Sequence, residues 1–336
     1  MGAPLYAQVT DVALHLPGTS LTTTELEDRL AGLNPGVPIP RKLIECVTGV
    51  SSRHVADADQ RARDLAVTAA RELLVRTGHP PAALDLIIFA GVSLDAVEPA
   101  TAHMVAAELG AGCAAFDVRN ACNSVLNAIE LADTLITARR YRTVLVVCGE
   151  VATSAIRWRV GCEQEFRAAI PSYTVSDSGA ALLLEAAAVP GIMGHRFCAV
   201  PEFWPAAVMP FRRLESGGHV TGPFTVDAVG LAVAVHKLDL DVLTQPLREH
   251  GVGWDDLAAI CVHQASLPSL RSFCEGAGIP LDKVVVTIAE HGNLVAATLP
   301  AQLHEAARSG RVRRGDLVAL VGVASGLSAG TVLLRW

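Results

Sequence analysis

Aromatic residues, long apolar runs and a charged leader are what this sequence lacks. Phe, Trp and Tyr make up only 4% of its 336 residues, so the 51% hydrophobic content is mostly Ala, Val and Leu, as is typical of parallel strands covered by helices. No basic segment begins the chain, and charges or glycines interrupt the apolar stretches before they reach membrane-spanning length. We therefore expect a layered α/β protein of the cytoplasm without membrane association.

The charge is weakly acidic and spread along the chain. Lys and Arg number 27 against 34 Asp and Glu, which gives a formal net charge of −7 at pH 7. Because the basic residues do not gather into a stripe, binding to a nucleic acid is not expected.

The cysteine pattern excludes further classes of protein. Eight cysteines occur without a CxxC pair, so neither a disulfide framework nor a zinc site is predicted. HExxH, Walker and GxGxxG patterns, which are typical of catalytic zinc and of nucleotide binding, are also missing. We therefore predict that the protein uses no metal and no bound cofactor.

The chain repeats one order of secondary-structure elements. In the first half, an amphipathic helix at 61–78 leads through a Pro-Pro turn to an apolar strand at 84–93. In the second half, a helix at 233–251 leads in the same way to a strand at 257–266. This repeat predicts two similar α/β units.

The match continues in the elements that follow. A helix at 123–140 and a strand at 143–149 correspond to a helix at 294–309 and a strand at 316–323. Each half is then expected to end in a strand that returns after a hairpin-like Gly/Ala turn, at 178–184 and 329–334. We therefore expect the two halves to pack face to face.

A segment of different composition separates the halves. We place the halves at 1–190 and 225–336, and the irregular segment, rich in Pro and Gly, at 191–224. Its aromatic residues are Phe197, Phe203, Trp204 and Phe211. The segment is either a lid over a site or a surface excursion packed by its own aromatics.

Cys122 stands where an apolar strand gives way to an Ala/Leu-rich helix. A thiol at a helix N-terminus faces free backbone N–H groups, which favour the thiolate and lower the thiol pKa. The thiolate is the nucleophilic form in acyl transfer. The alternative is that Cys122 is one more small buried residue, as we expect for Cys113, Cys148, Cys261 and Cys274.

Two polar residues of the second half are placed to face the same cleft, because sites in α/β proteins lie beyond the carboxyl ends of strands. His263 follows an apolar strand, and its imidazole can donate to a carbonyl oxygen or move a proton. Asn293 occupies the place in the second half that Cys122 occupies in the first. Its amide can serve a substrate or simply cap the following helix, and a lone histidine is equally well explained as a structural residue.

Several segments, in the right order along nearly the whole chain, resemble the β-ketoacyl-acyl-carrier-protein synthase III family of the thiolase superfamily. The nucleophile segment is 117–124, the HQA motif begins at His263 and the HGN motif ends at Asn293. Further matching segments are 48–50, 176–181, 284–300 and 326–336. The resemblance implies a duplicated thiolase-like α/β fold with five layers in the order αβαβα, and a homodimer.

The resemblance also implies a role for each matched residue. Cys122 would be the acylated nucleophile, and His263 and Asn293 would donate to the carbonyl of a second thioester while its malonyl group loses CO2. The backbone N–H groups of Cys122 and Ser325 would form the oxyanion hole. The substrates would arrive as thioesters of an acyl carrier protein or of coenzyme A.

The sequence departs from the family where a carrier is bound. Leu43 and Val47 stand in place of the Trp and Arg that hold the adenine of coenzyme A, and Pro268 replaces an arginine used for carrier docking. The resemblance then leaves Arg271 for docking, and it places Ser266, which alters the end of the HQA motif, beside the substrate.

A further departure concerns the acyl pocket. The aromatic residue that reaches this pocket from the partner subunit corresponds to Glu98 or Val97. A carboxylate there would suit a polar acyl group, although a solvent-facing loop glutamate explains the residue equally well. Glu98 is therefore a candidate substrate-binding residue.

These observations lead to one prediction and two alternatives. We predict a ketosynthase III-like acyltransferase that forms a thioester at Cys122 and carries out a decarboxylative Claisen condensation in polyketide or fatty-acyl-derived biosynthesis. The first alternative is transfer of the acyl group to an alcohol or amine without loss of CO2. The second is a non-catalytic partner of an active paralogue.

Overall fold

The computed structural model describes residues 4–336 of the chain. The strands are β1 (Tyr6–His15), β2 (Thr19–Thr22), β3 (Ser52–Val55), β4 (Leu86–Ala90), β5 (Ala114–Val118), β6 (Thr143–Glu150), β7 (Ser178–Ala187), β8 (Ile192–Ala199), β9 (Ala207–Val208), β10 (Phe211–Arg213), β11 (His219–Thr221), β12 (Thr225–Val226), β13 (Ala259–Val262), β14 (Leu317–Ala324) and β15 (Ser328–Arg335). The α-helices are α1 (Thr23–Leu33), α2 (Leu43–Thr48), α3 (Ala62–Thr77), α4 (Thr101–Leu109), α5 (Ser124–Thr137), α6 (Glu163–Ala169), α7 (Ala228–Lys237), α8 (Asp241–Glu249), α9 (Leu267–Gly276), α10 (Ile288–His291) and α11 (Thr298–Arg308).

The two main sheets share one topology. The first has the order β1-β7-β6-β4-β5 and the second, read from its edge strand, has the order β8-β15-β14-β13. In the first, β4 is parallel to β6, and β7 is antiparallel to β6 and to β1. In the second, β13 is parallel to β14, and β15 is antiparallel to β14 and to β8. A bridge between Ile260 and Val284 marks the place of the fifth strand, so the predicted duplication is present strand by strand.

The apolar clusters define five layers. The largest cluster joins one face of each sheet to α5 and α11, which lie between them. A second cluster joins the other face of the first sheet to α3 and α4, and a third joins the other face of the second sheet to α7, α8 and α9. The order is therefore αβαβα, which confirms the predicted fold class.

Helix α3 shows how the sequence sets these boundaries. The carboxylate of Asp64 accepts the backbone N–H of Arg61 at 2.7 Å, and Gly78 ends the helix in the left-handed conformation at a φ of 68°. Leu65, Ala69 and Leu73 recur every four residues and are fully buried, so they lie on the face that packs against the sheet. The predicted span of 61–78 therefore differs from the observed helix only by its two capping residues.

Two glycines allow α3 to pack this closely. Gly149 of β6 and Gly179 of β7 are paired across the sheet. A Cβ atom at Gly149 would overlap the carbonyl group of Ala62, and one at Gly179 would overlap that of Leu65. Helix and sheet therefore meet backbone to backbone at the first turn of α3.

The structure corrects three sequence-based boundaries. The segment predicted to be irregular at 191–224 begins with β8, an edge strand of the second sheet, because Phe197 packs over Gly330 of β15. The predicted helix at 233–251 is two helices, α7 and α8, separated by an extended Leu238. The first half lacks the predicted hairpin-like turn, because residues 151–177 intervene between β6 and β7.

Residues 151–177 form a substructure of their own. They pack with α1 and α2 into a fourth apolar cluster that includes Phe166 and Tyr173. Their helix α6 contacts β12, so they also meet the segment between β8 and α7. That segment starts beside the turn between β14 and β15, where the N–H of Val200 donates to the carbonyl of Leu327 at 2.9 Å.

Three findings bear on the classes considered from the sequence. Within residues 4–336, none of the helices has the length and apolar character needed to cross a bilayer. All eight cysteines are unpaired. The same part of the chain contains no group of three or more His, Cys, Asp or Glu side chains that could hold a metal ion.

We expect replacement of Gly179 by Ala to destabilise the fold by about 1 to 3 kcal/mol or more, because the added methyl group has no space against the backbone of α3. Chemical denaturation would measure the loss. Gly32→Ala is the matched control: Gly32 lies within α1 with open space around it, and the change should stabilise by about 0.5 to 1 kcal/mol. Equal stabilities of the two variants would contradict this account of the packing.

Candidate active site

The predicted site residues lie at the carboxyl ends of strands in the two sheets. Cys122 follows β5 and precedes α5, His263 follows β13, and Ser325 lies in the turn between β14 and β15. Asn293 follows α10, in the segment that leads to α11. Each half therefore carries candidate residues in connections that follow its strands and helices.

The backbone around Cys122 forms a sharp turn. Ala121 has a φ of 46°, a left-handed conformation that is strained for a residue with a side chain. The hydroxyl of Ser124 holds the turn from both sides: it donates to the carbonyl of Ala121 at 2.6 Å and accepts the N–H of Asn120 at 2.9 Å. The turn places Cys122 two residues before the first residue of α5.

The electrostatics of the Cys122 thiol differ from the prediction. Burial raises its pKa to about 12, the negative charge of Glu150 adds to the rise, and only the backbone N–H of Cys122 itself opposes it. The helix terminus was expected to lower the pKa, but loss of solvation outweighs the N–H groups. In the resting protein Cys122 is therefore a neutral thiol.

His263 is also neutral. Its backbone N–H donates to the carbonyl of Val321 at 2.9 Å, which fixes the residue at the edge of β14, and burial lowers the pKa of its imidazole to about 4. Its Nδ1 atom is buried and has no hydrogen-bond partner within residues 4–336. The ring is thus an uncharged polar group with one nitrogen available to a ligand or to water.

The amide of Asn293 has a defined orientation. Its Oδ1 accepts the backbone N–H of Val295 at 2.9 Å, while no partner of its NH2 group occurs in the described part of the chain. Val295 has a φ of 54°, unusual for a β-branched residue. The backbone is fixed as well, because the N–H of Asn293 donates to Thr174 at 2.7 Å and its carbonyl accepts from Ser176 at 3.0 Å. Asn293 therefore presents donors to its surroundings, while its oxygen caps the short 3-10 turn Val295–Ala297 that precedes α11.

Asn123, which the sequence analysis did not single out, ties the two halves together. Its fully buried side chain donates to the carbonyl and hydroxyl oxygens of Ser328 at 3.3 and 3.0 Å. On its other side it lies against Gly322, where a Cβ atom would overlap its Oδ1. The Cys122 turn is therefore joined to the hairpin that carries Ser325. An asparagine directly after a candidate nucleophile was the only sequence signal for this contact.

A pair of histidines, one of them two residues before Asn293, was also missed. Nε2 of His54, on β3, lies 3.1 Å from Nδ1 of His291, and Nδ1 of His54 lies 3.0 Å from the carbonyl oxygen of Pro17. Burial, followed by the proximity of His54, lowers the pKa of His291. The pair connects β3 to α10 just before Asn293. Since the two residues are far apart in sequence, only the folded chain reveals it.

The three candidate substrate residues lie in a loop and on a helix. Glu98 is exposed in the loop between β4 and α4, next to Val97, which is exposed as well. Ser266 caps α9, where its hydroxyl accepts the N–H of Ser269 at 3.2 Å, so this side chain already has a structural role. Arg271 is exposed on α9 and forms no ion pair within residues 4–336.

Two family models match the chain. The model of 3-oxoacyl-[acyl-carrier-protein] synthase III matches residues 116–199, which include Cys122. The model of the C-terminal part of that synthase matches residues 247–336, which include His263, Asn293 and Ser325. The two models together cover just over half of the chain.

Solved structures agree with these matches. OleA of Xanthomonas campestris, in a form with a histidine replaced by alanine, is 26% identical with a TM-score of 0.88 over 98% of each chain. The 3-oxoacyl-[acyl-carrier-protein] synthase III of Aquifex aeolicus is 28% identical with a TM-score of 0.82, over 98% of this chain and 100% of that one. The corresponding enzyme of Xanthomonas oryzae is 27% identical with a TM-score of 0.86, over 98% of this chain and 99% of that one.

The five-layer fold agrees with the solved structures over nearly the whole chain, and the two family models match both halves. The protein belongs to the 3-oxoacyl-[acyl-carrier-protein] synthase III family and is a ketosynthase III-like condensing enzyme that transfers acyl groups.

Proposed function

We propose that Cys122 carries the acyl group and that His263 and Asn293 stabilise the enolate formed when a malonyl-type thioester loses CO2. The observation that carries this proposal is the orientation of Asn293, because the N–H of Val295 occupies the amide oxygen and leaves the NH2 group as the free donor. A neutral imidazole and an amide are suitable partners for a carbonyl oxygen on which negative charge develops. The backbone N–H groups of Cys122 and Ser325 are the proposed oxyanion hole.

The first step transfers an acyl group to Cys122. The sulfur attacks the thioester carbonyl, the S–C bond of the donor breaks, and the proton of the thiol leaves with the departing thiolate. The thiol with a pKa of about 12 must lose its proton as the attack proceeds, since the resting site does not store a thiolate. The N–H groups that flank the thiol then serve the oxyanion of the tetrahedral intermediate.

The second step forms the carbon–carbon bond. The malonyl thioester releases CO2, and the electron pair of the broken bond passes to the enolate held by His263 and Asn293. The enolate carbon attacks the thioester at Cys122, the S–C bond to the sulfur breaks, and the thiolate takes a proton from water. The product is a 3-oxoacyl thioester, and the cycle uses no cofactor beyond the two thioesters.

Leu43 and Arg271 bear on the identity of the donor thioester. Leu43 packs into the apolar cluster formed by residues 151–177 with α1 and α2, so it provides no stacking surface for adenine. Arg271 is exposed, has no ion pair within residues 4–336 and is available to an acidic carrier protein. We therefore favour an acyl carrier protein over coenzyme A as the donor, and a specialised fatty-acyl or polyketide pathway. The unpaired cysteines favour the reducing cytoplasm.

We further propose that the enzyme works as a homodimer in which Glu98 enters the acyl pocket of the partner subunit. Asp95 anchors the root of this loop by accepting the N–H of Ala62 at 3.0 Å and pairing with Arg63 at 2.9 Å, while Val97 and Glu98 at its tip are exposed. Structures of the OleA of Xanthomonas campestris include variants with a cysteine, a histidine or a glutamate replaced. These are the residue types of Cys122, His263 and Glu98.

Alkylation of Cys122 by iodoacetamide should become about tenfold faster for each pH unit between pH 7 and 9, without a plateau, because the thiol pKa of about 12 lies above this range. The modified peptide is quantified by mass spectrometry, so that the exposed Cys46 and Cys162 do not contribute. A plateau below pH 8 would instead indicate a resting thiolate–imidazolium pair.

Asn293→Ala should accept a radiolabelled acyl group at Cys122 within a few-fold of the wild-type rate, but it should release CO2 from a malonyl thioester about 100-fold more slowly, because the enolate has lost a donor. Cys122→Ala should give no adduct. Product formation without CO2 would indicate acyl transfer to an alcohol or amine, and the lack of any adduct in the wild-type protein would indicate a non-catalytic partner.

Glu98→Ala should lower turnover at least about tenfold. Subunits of this variant mixed with subunits of Cys122→Ala, which is inactive by itself, should regain about a quarter of the wild-type sites, because in a mixed dimer one site has both residues intact. Unmixed samples of each variant at the same concentration are the control. If mixing produces no gain, Glu98 does not act across the dimer.

A further inference from the structure

Glu150 is a buried carboxyl group that the proposed mechanism does not use. It is the last residue of β6, whose other residues are uncharged, and its side chain is fully buried on the face of the sheet that meets the central helices. A charge in such a place costs free energy unless several donors surround it. The donors around Glu150 therefore indicate what the residue does.

Those donors come from two separate loops. Oε1 accepts the N–H of Val92 at 2.8 Å, and Oε2 accepts the N–H and the hydroxyl of Ser93 at 3.0 and 2.8 Å. The short turn Val295–Ala297 packs against β6, and the backbone N–H of Ala296 faces the same carboxyl group. Burial raises the pKa of Glu150, and these donors oppose the rise. Val92 and Ser93 form the root of the loop that carries Glu98, and Ala296 lies three residues after Asn293.

The carboxylate also affects the nucleophile. The Sγ atom of Cys148, on the same strand, lies 3.9 Å from Oε1 of Glu150. After burial, the negative charge of Glu150 is the largest cause of the raised pKa of the Cys122 thiol. One side chain thus acts on the nucleophile, on the segment of Asn293 and on the loop of Glu98.

The hydroxyl of Ser93 strengthens this arrangement. While it donates to Glu150, its oxygen accepts the N–H of Val151 at 3.0 Å, so the root of the β4 loop is bonded to the end of β6 twice. Ser178, which pairs with Glu150 across the sheet, has a buried hydroxyl without a partner in the described part of the chain. A carboxylate satisfies converging N–H groups at this point, whereas an amide would turn its own NH2 group against some of them.

We propose that Glu150 is a positioning residue for the condensation: its carboxylate holds the turn after Asn293 and the root of the Glu98 loop in place, and its negative charge adds to the burial that keeps the thiol of Cys122 protonated until a thioester arrives. The part that concerns condensation rests on the proposed function, whereas the part that concerns the Cys122 thiol does not.

Glu150→Gln should change two rates in opposite directions. Alkylation of Cys122 at pH 8 should be about fivefold to tenfold faster, because the negative charge beside the thiol is gone. Release of CO2 by enzyme already acylated at Cys122 should be at least about tenfold slower, because the Ala296 segment has lost an acceptor. A merely structural role would slow both rates together with a fall in Tm.

Glu150→Asp restores the charge and should return the alkylation rate to within about twofold of the wild-type value. The matched control is Asp85→Asn, because the carboxylate of Asp85 joins the same pair of strands at their opposite ends, where it accepts the N–H groups of Arg142 and Thr143 at 2.7 and 3.0 Å. This control should leave both rates unchanged.

An unchanged alkylation rate or an unchanged condensation rate in Glu150→Gln overturns the proposal. If that variant does not fold, Ser93→Ala is the second test, because it removes one donor to Glu150. This variant must slow condensation while acylation of Cys122 stays within about twofold of the wild-type rate. Condensation at the wild-type rate would then overturn the proposal. If the wild-type protein forms no acyl adduct, the proposed function fails, and the alkylation rates still decide whether Glu150 controls the thiol.

Discussion

The contact of Asn123 with Gly322 and Ser328 is the constraint on which the site depends. It is the point where the first half of the chain, through the residue after Cys122, meets the hairpin of the second half. A side chain at position 322 would push the halves apart, and the hydrogen bonds to Ser328 fix the turn of Ser325 relative to Cys122. The two N–H groups proposed as an oxyanion hole belong to different halves, so their spacing is set by this contact and by the central helices α5 and α11.

Burial then decides the protonation of the site. Loss of solvation disfavours charge on either kind of group, so it raises the pKa of the Cys122 thiol to about 12 and lowers that of the His263 imidazole to about 4. The two residues are therefore neutral together over the whole physiological range. A neutral His263 can donate an N–H to a developing enolate, and the NH2 group of Asn293, whose oxygen is occupied by the N–H of Val295, is a donor as well. An uncharged, partly buried thiol, imidazole and amide are thus suited to one task, which is to stabilise charge that appears only during the reaction.

The sequence was sufficient for the features that depend on local pattern. Apolar periodicity and glycine or proline breaks predicted α3, α5, β6 and β14 to within a few residues, and comparison of the halves predicted the duplication. The family and the fold were confirmed, whereas the roles of Cys122, His263 and Asn293 stay predictions. The predictions that were wrong concern features that depend on contacts between distant segments. The helix terminus predicted a lower thiol pKa, because a sequence shows the N–H groups of a helix but not the loss of water or the carboxylate of Glu150, 28 residues away in the chain. The assignment of Phe197 to the irregular segment failed for the same reason, since its partner is Gly330.

The two halves differ in the connection that precedes the last strand of each half, which joins β6 to β7 in the first half and β14 to β15 in the second. In the second half, β14 returns directly into β15 through a short turn, so that its backbone N–H groups remain close to the carboxyl ends of the strands. In the first half, residues 151–177 intervene between β6 and β7 and build an apolar cluster with α1 and α2. Leu43, which stands where the resemblance implies an aromatic residue that binds adenine, packs against that cluster, and helix α6 of the cluster contacts β12. The short connection is common to the chemistry that we propose. The long connection lies next to Leu43, and we expect the substrate preference of this enzyme to be determined there.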